Sequence, residues 1–268
     1  MKDVAFGQYY PVESFVHKMD ARVKILLSIA YIVAVFLVKE FFFWGFLASF
    51  GFIVIACIFA KVPFLKVLRS IKLILFFAVF SAVLQIFFNK QGEVLVDWGA
   101  IVITDIGLKK AAFIVLRITL IVMGTSLLTL TTTPVELADA IESLFSPLKV
   151  IKFPAHEFAL IMSIALRYIP TLMEETDRII KAQKARGADF ESKNIFKKAK
   201  ALVPVLIPLL ISSFRRADEL ADAMEARCYA GAKGRTKFKK QRLTFRDLIG
   251  TLLTAGLIVS ICVVFNGL

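Results

Sequence analysis

The sequence predicts an all-α membrane protein with about five transmembrane helices and, on the cytoplasmic side, a region of three helices, two of them long and amphipathic. Three observations lead there. Mean hydropathy is +0.76, with 58% hydrophobic against 21% charged residues among 268, more apolar surface than a water-soluble domain of this size can bury. Five apolar stretches, 25–38, 41–60, 73–88, 111–133 and 248–265, approach the roughly 20 residues that cross a bilayer core. Between the fourth and fifth lies a segment too long for a loop, whose apolar residues recur with a helical period.

The connections set the expected direction of each span, because Lys and Arg are retained on the cytoplasmic side. Lys2, Lys18, Arg22 and Lys24 precede the first span; Lys39 alone, beside Glu40, follows it; Lys61, Lys66, Arg69 and Lys72 follow the second. The N-terminus and the second connection are therefore read as cytoplasmic. Between the third and fourth spans, Lys90, Lys109 and Lys110 are balanced by Glu93, Asp97 and Asp105, which suits an external loop with turn signals at Asn89 and Gly92. The first span is short unless residues 21–24 supply its first turn, with Arg22 and Lys24 reaching to the headgroups. Residues 1–20 lack the short apolar core of a cleaved signal, so the N-terminus is expected to stay where it is made.

Residues 134–247 then fall in the cytoplasm, with 21 basic and 14 acidic residues, a net +7. A short helix opens with Thr133 as N-cap and with Pro134 and Glu136 in its first turn. Phe158, Ile161, Met162, Ala165, Tyr168, Ile169, Leu172 and Met173 keep to one stripe, predicting a helix over 154–186 that Pro154 starts and Gly187 stops. A second long helix is predicted over 195–227, apolar at first and charged at its end, with Pro204 and Pro208 kinking it at the membrane surface. The expected organisation is thus 1–133, a membrane region with four spans; 134–232, the cytoplasmic helices; and 233–268, a basic juxtamembrane segment and the last span. Lys233, Arg235, Lys237, Lys239, Lys240, Arg242 and Arg246 read as an anchor on anionic lipid, and Phe41 to Phe43 with Trp44 as an interfacial belt.

Several function classes are excluded or weakened. The excess of cations is accounted for by the membrane, so nucleic acid is not needed as a partner. Cys57, Cys228 and Cys262 are isolated, and His17 and His156 lack metal-helix spacing, so neither disulfides nor a metal site is expected. Glu174 and Glu175 are adjacent on a helix and diverge by about 100°, which does not make a catalytic pair. There is no GxxxxGK[ST] phosphate loop, so the chain binds no ATP by that device, and no cofactor of its own is expected. A self-contained channel or secondary transporter remains as the alternative to a scaffold, but its polar groups belong at mid-membrane, whereas here they concentrate in the cytoplasmic helices. Arg117 is the one basic residue well inside a predicted span. It either snorkels to the outer surface or ties to a neighbouring helix or partner.

The two long cytoplasmic helices end alike, in Ala182-Gln183-Lys184-Ala185-Arg186-Gly187 and Ala223-Met224-Glu225-Ala226-Arg227-Cys228. Small residues three apart permit close approach of a partner, and a terminal arginine both complements the helix dipole and offers a planar fork to a carboxylate. Two similar docking sites fit this repeat, and so does an arginine placed for the dipole alone.

Together with these endings, His17-Lys18-Met19-Asp20-Ala21-Arg22-Val23-Lys24, Thr131-Thr132-Thr133-Pro134, Leu166-Arg167-Tyr168-Ile169-Pro170 with Glu174-Glu175, and Ala226-Arg227-Cys228-Tyr229 resemble, in order through most of the chain, the transmembrane T component of energy-coupling factor transporters. The resemblance implies a scaffold in the prokaryotic plasma membrane for vitamin or metal-ion uptake. It implies as partners two ABC-type ATPases, which bind ATP and Mg, and a separate substrate-binding membrane subunit, the S component. It also implies that Ala185, Arg186 and Gly187 dock on one ATPase and Ala226, Arg227 and Cys228 on the other. Cys228 departs from the Gly of the family pattern, which puts the second helix ending in doubt. On the same reading Pro170, Pro204 and Pro208 supply bends through which ATP-driven movement reaches the substrate-binding subunit.

Overall fold

The computed structural model describes residues 9–39, 43–88, 92–97, 102–145, 154–188, 190, 194–231 and 244–265. The elements are α1 (Ala21–Leu37), α2 (Phe43–Ala60), α3 (Phe64–Phe88), β1 (Val94–Asp97), β2 (Val102–Thr104), α4 (Asp105–Thr131), α5 (Pro134–Phe145), α6 (Ala155–Ala185), α7 (Ile195–Ala226) and α8 (Phe245–Val259), which continues as a π-helical stretch over Ser260–Phe265. Apart from the antiparallel hairpin β1–β2, the regular structure among the described residues is helical. It divides into two compact units, residues 1–140 with 240–268, and residues 141–239.

Local chemistry starts most of these helices. The Asp20 carboxylate accepts from the Arg22 N–H at 2.9 Å to open α1, and the Thr104 hydroxyl accepts from the Gly107 N–H at 3.2 Å to open α4. Reciprocal capping boxes start α5, where Thr133 and Glu136 exchange bonds, and α8, where Thr244 and Asp247 do the same. At α5 the Thr133 cap is the one predicted from sequence, and Glu136 makes it reciprocal. Four spans begin earlier than their apolar runs, most of all α3 at Phe64 rather than 73 and α4 at Asp105 rather than 111, and by about a turn α1 at Ala21 and α8 at Phe245. Hydropathy marks the part of a helix that meets lipid, whereas the cap and the hydrogen-bond ladder mark where the helix begins; Lys66, Arg69, Lys72 and Lys109 lie in those polar extensions.

In the first unit α1 runs antiparallel to α4. Successive contacts along the pair are Lys24 Nζ to the Thr131 carbonyl (3.0 Å), the Tyr31 ring against Gly124 with its hydroxyl on the Leu120 carbonyl (3.4 Å), and Arg117 Nη2 to the Val38 carbonyl (2.7 Å). α2, α3 and α8 complete the bundle around Tyr31, Val35, Phe46, Ile53, Ile71, Leu120 and Ile261, and Tyr31 stacks on Phe52 with ring centroids 5.6 Å apart. Large apolar side chains on the opposite faces are exposed, among them Phe36, Ile58, Phe76, Phe80 and Leu252. Such a surface fits a hydrocarbon solvent, in which the helices satisfy their own backbone groups. α2, α4 and residues 245–263 are long and apolar enough to cross a membrane, and the two bent parts of α3 make a fourth span if taken together. α1, with 17 residues, falls just short of the usual length. Of the expected interfacial belt, Phe43 and Trp44 are exposed, while Phe41, Phe42 and the basic residues 233–242 lie outside the described residues.

The chain ahead of α1 is folded onto this bundle. The Tyr10 N–H donates to the Leu130 carbonyl (2.9 Å), and Lys66 Nζ stands 3.7 Å over the Tyr10 ring. Both ring nitrogens of His17 are engaged, Nε2 with the Tyr10 carbonyl (2.9 Å) and Nδ1 with the Ser14 hydroxyl (2.7 Å). A carbonyl can only accept, so the neutral ring carries its proton on Nε2 and accepts from Ser14 at Nδ1. Burial holds the His17 pKa below its usual value, and the nearby Lys24 ammonium adds to this against the opposing pull of the Tyr10 and Leu130 carbonyls and of Glu136.

Two outcomes are expected. Because His17 takes up a proton less readily folded than unfolded, its contribution is complete above about pH 6.5 and is lost as the pH falls below that value. Thermal denaturation in detergent will therefore show a smaller acid-induced drop in Tm for His17→Gln than for the parent. A Cβ at Gly124 would meet the Tyr31 ring at 2.5 Å, and that ring is held by Phe52 and by its own hydrogen bond. Gly124→Leu is expected to destabilise the bundle by about 2 kcal/mol, read as a lower Tm.

Candidate functional site

The second unit is built on the two long helices. α6 runs from Ala155 to Ala185 and α7 from Ile195 to Ala226, within one residue of the ends predicted from their punctuation. Asn194 caps the start of α7 by accepting from the Phe196 N–H at 3.0 Å. Pro170 lies inside α6, and Pro204 and Pro208 lie inside α7; all three are exposed, and both helices continue through them. Each proline removes one N–H from the ladder, so the carbonyls of Leu166, Lys200 and Pro204 lose their intrahelical partner.

The two helix ends share one closing motif, differing in the arginine N–H, which reaches the carbonyls of Ala182, Gln183 and Lys184 at the first and of Glu225 at the second. At the first, the Gly187 N–H donates to the Lys184 carbonyl (3.0 Å) and the Ala188 N–H to the Gln183 carbonyl (3.0 Å). At the second, the Cys228 N–H donates to the Glu225 carbonyl (2.8 Å) and the Tyr229 N–H to the Met224 carbonyl (3.0 Å). Both are the paired bonds of a Schellman motif, with the arginine at the C-cap and the next residue left-handed: φ is +87° at Gly187 and +53° at Cys228. The doubt that the sequence raised about the second ending is thus answered: Cys228 adopts the conformation usually left to glycine, and the two hydrogen bonds hold it there. Ala185, Arg186, Gly187, Ala226, Arg227 and Cys228 are all exposed. Each end presents a small residue, a guanidinium and a tight turn, a shape that fits a groove lined with carboxylates.

The sequence missed one contact on these helices. Arg216 Nη2 donates to Glu175 Oε2 at 2.9 Å, with both side chains about a quarter exposed, and Arg216 Nε is 3.4 Å from the Ser212 hydroxyl one turn back. Glu174, one residue before Glu175, instead faces Arg178 of its own helix at 4.0 Å, largely in solvent. The divergence of adjacent helical residues separates them in this way. The only trace of the Glu175–Arg216 pair in the sequence is that both residues stand at the same distance from the repeated endings.

Arg117 lies apart from this site, in the first unit. Of the two readings open from sequence, the tie is the one observed: Nη2 bonds the carbonyl of Val38, the C-cap of α1, and the guanidinium lies 5.8 Å from the Phe46 ring centre. Its Nε is buried without a hydrogen-bond partner. Snorkelling is unnecessary, because α1 ends beside Arg117 and its terminal carbonyl needs a donor.

Comparison with known proteins now bears on the whole chain. The model of the CbiQ family, described as cobalt transport protein, matches residues 12–238, a span that includes both arginine-tipped helix ends. The chain belongs to this family. An energy-coupling factor transporter transmembrane protein EcfT from Clostridium kluyveri is 51% identical over 259 residues, covering 96% of this chain and 95% of its own. Proteins of the same name from Ruminiclostridium cellulolyticum and Listeria innocua are 49% and 43% identical, each over at least 94% of both chains. Within the CbiQ family the chain is therefore of the EcfT type, a multi-pass membrane component of a transporter.

One consequence concerns the second ending. A residue with a Cβ in the left-handed region costs roughly 1 kcal/mol relative to glycine. Cys228→Gly is expected to strengthen the last turn of α7 by about that amount, seen as slower amide hydrogen exchange at residues 224–229, whereas a β-branched Val at 228 will speed it.

Proposed function

We propose that this chain is the coupling scaffold of an energy-coupling factor importer. Two ABC-type ATPases dock on the Arg186 and Arg227 ends, and a separate substrate-binding membrane subunit, the S component, is moved in response to ATP. ATP and Mg belong to the ATPases, and this chain supplies shape and stiffness. The N-terminus and the second unit lie on the cytoplasmic side of the prokaryotic plasma membrane, in keeping with the basic connections. The cargo is a vitamin or a metal ion; the family description names cobalt, and the relatives' names give no cargo.

The observation that carries this reading is the pair of matching, solvent-exposed arginine caps. A guanidinium at a helix C-terminus has a reason in the dipole alone. Two built on the same hydrogen-bond pattern, one of them at the cost of a left-handed cysteine, have a reason in being read by two similar partners. Pro170, Pro204 and Pro208 are the places where either helix can bend while its remaining hydrogen bonds persist. The self-contained transporter receives less support: α2 and α4 run unbroken, and α3, bent by 57° near residue 73, is the one interrupted span among the described residues.

Arg186→Glu and Arg227→Glu are expected to weaken ATPase attachment by at least about 2 kcal/mol per end, roughly thirtyfold in affinity, and together to abolish ATP-dependent uptake. Both side chains are exposed, so the amount of chain in the membrane will not change. Co-purification in mild detergent and uptake into cells provide the test. Undiminished ATPase recovery and uptake in the double variant would refute the docking.

A further inference from the structure

The ion pair between the long helices stands in a numerical relation to their ends. Glu175 precedes Arg186 by 11 residues, and Arg216 precedes Arg227 by 11. At 1.5 Å per residue each tip lies about 16 Å beyond the contact, and 11 residues are three turns with about 20° to spare, so each arginine lies close to the face its helix turns to the other at the contact. Neither segment beyond the contact, 176–186 or 217–227, contains Pro or Gly, while all three internal prolines lie before it. Two equal, unbroken arms therefore leave one charged contact, and the bendable parts of both helices lie on its other side.

We propose that Glu175 and Arg216 are a positioning pair, the fixed point about which α6 and α7 hold Arg186 and Arg227 at one separation, and that coupling to the partners depends on that separation. The second half of the proposal rests on the docking reading above; the first half concerns this chain alone. An ion pair suits such a point. Apolar ridges on two crossing helices tolerate sliding by a turn, whereas a 2.9 Å bond between a carboxylate and a guanidinium braced by Ser212 has one register. A slip of one turn on one helix alone would lengthen one arm by about 5 Å and shorten neither prolines' reach nor the other arm. Equal arms are what a pair of similar partner sites would require.

The test uses the full chain in lipid nanodiscs, with spin labels at Lys181→Cys and Asp222→Cys, exposed positions six residues beyond the contact on each arm, and Cys57, Cys228 and Cys262 replaced by Ser. Pulsed electron paramagnetic resonance is expected to give one narrow distance in the parent and a broadened distribution in Glu175→Gln and in Arg216→Gln. The exchange Glu175→Arg with Arg216→Glu is expected to restore the narrow distance. In the assembled transporter the single variants keep their ATPases but lose most of the uptake per ATP hydrolysed, and the exchange regains it. Distances unchanged in both single variants, or broadening that the exchange does not reverse, would overturn the fixed point. Distances that respond while uptake per ATP does not would overturn its role in coupling. If distances respond but Arg186→Glu with Arg227→Glu leaves ATPase recovery intact, the docking reading fails and the fixed point stands.

Discussion

Helix ends that fall inside an apolar medium must find hydrogen-bond partners other than water, and this demand organises the chain. Where α1 begins, the buried Lys24 Nζ donates to two carbonyls at once, that of His17 before the helix and that of Thr131 at the end of α4 (3.1 and 3.0 Å). The buried Asp247 carboxylate does the converse, accepting from the Asp20 N–H (2.9 Å) and from the Thr244 N–H (2.7 Å). One cation and one anion thus tie together the starts of α1 and α8 and the end of α4. At the other end of α1 the Arg117 guanidinium, reaching from α4, satisfies the Val38 carbonyl. Removing Lys24 or Arg117 would leave the buried carbonyl of Thr131 or Val38 without a donor, so charged residues in this hydrophobic bundle serve the backbone more than each other.

The same demand explains which parts of the molecule were legible in the sequence. A helix end that is satisfied locally writes its solution within four residues: Thr133 with Glu136, Pro154, and Gly187 all marked boundaries that the structure places within one residue. An end satisfied from elsewhere leaves no local mark. Nothing around Arg117 names Val38, 79 residues away, and nothing around Lys24 names Thr131. The early starts of α3 and α4 were hidden because apolarity was being read as helicity. The hairpin β1–β2 leaves no mark beyond its turn signals, because strands of four and three residues are too short for alternation to register. Cys228 misleads in the opposite direction: its Cβ argues against a left-handed cap, and the local hydrogen bonds of the last turn outweigh a cost of about 1 kcal/mol.

In the second unit water is available, and the helix ends close on themselves. A Schellman motif satisfies the last carbonyls from the chain's own next two N–H groups, which frees the arginine side chain from capping duty. That is a physical reason for regarding Arg186 and Arg227 as presented outward rather than spent on the fold. It also separates them from Arg117, whose guanidinium is consumed by a helix end. Three arginines at or near helix termini therefore divide by what the backbone still needs: one caps, and two are left to meet something else.

Stiffness and mobility are then distributed along α6 and α7 in a definite order. Before Glu175 and Arg216, the missing N–H groups at Pro170, Pro204 and Pro208 weaken the ladders; after them, the eleven residues on each helix include neither Pro nor Gly, so no N–H is missing from the chain there. A displacement applied at either tip meets no proline before the charged contact, so bending is favoured in the proline-bearing segments beyond it. The reverse arrangement, with prolines between contact and tip, would let each end move on its own and would dissipate a push in local bending. If the tips are where ATP-driven partners act, the placement of three prolines on one side of a single ion pair is what allows two independent docking events to be felt as one relative movement of the helices.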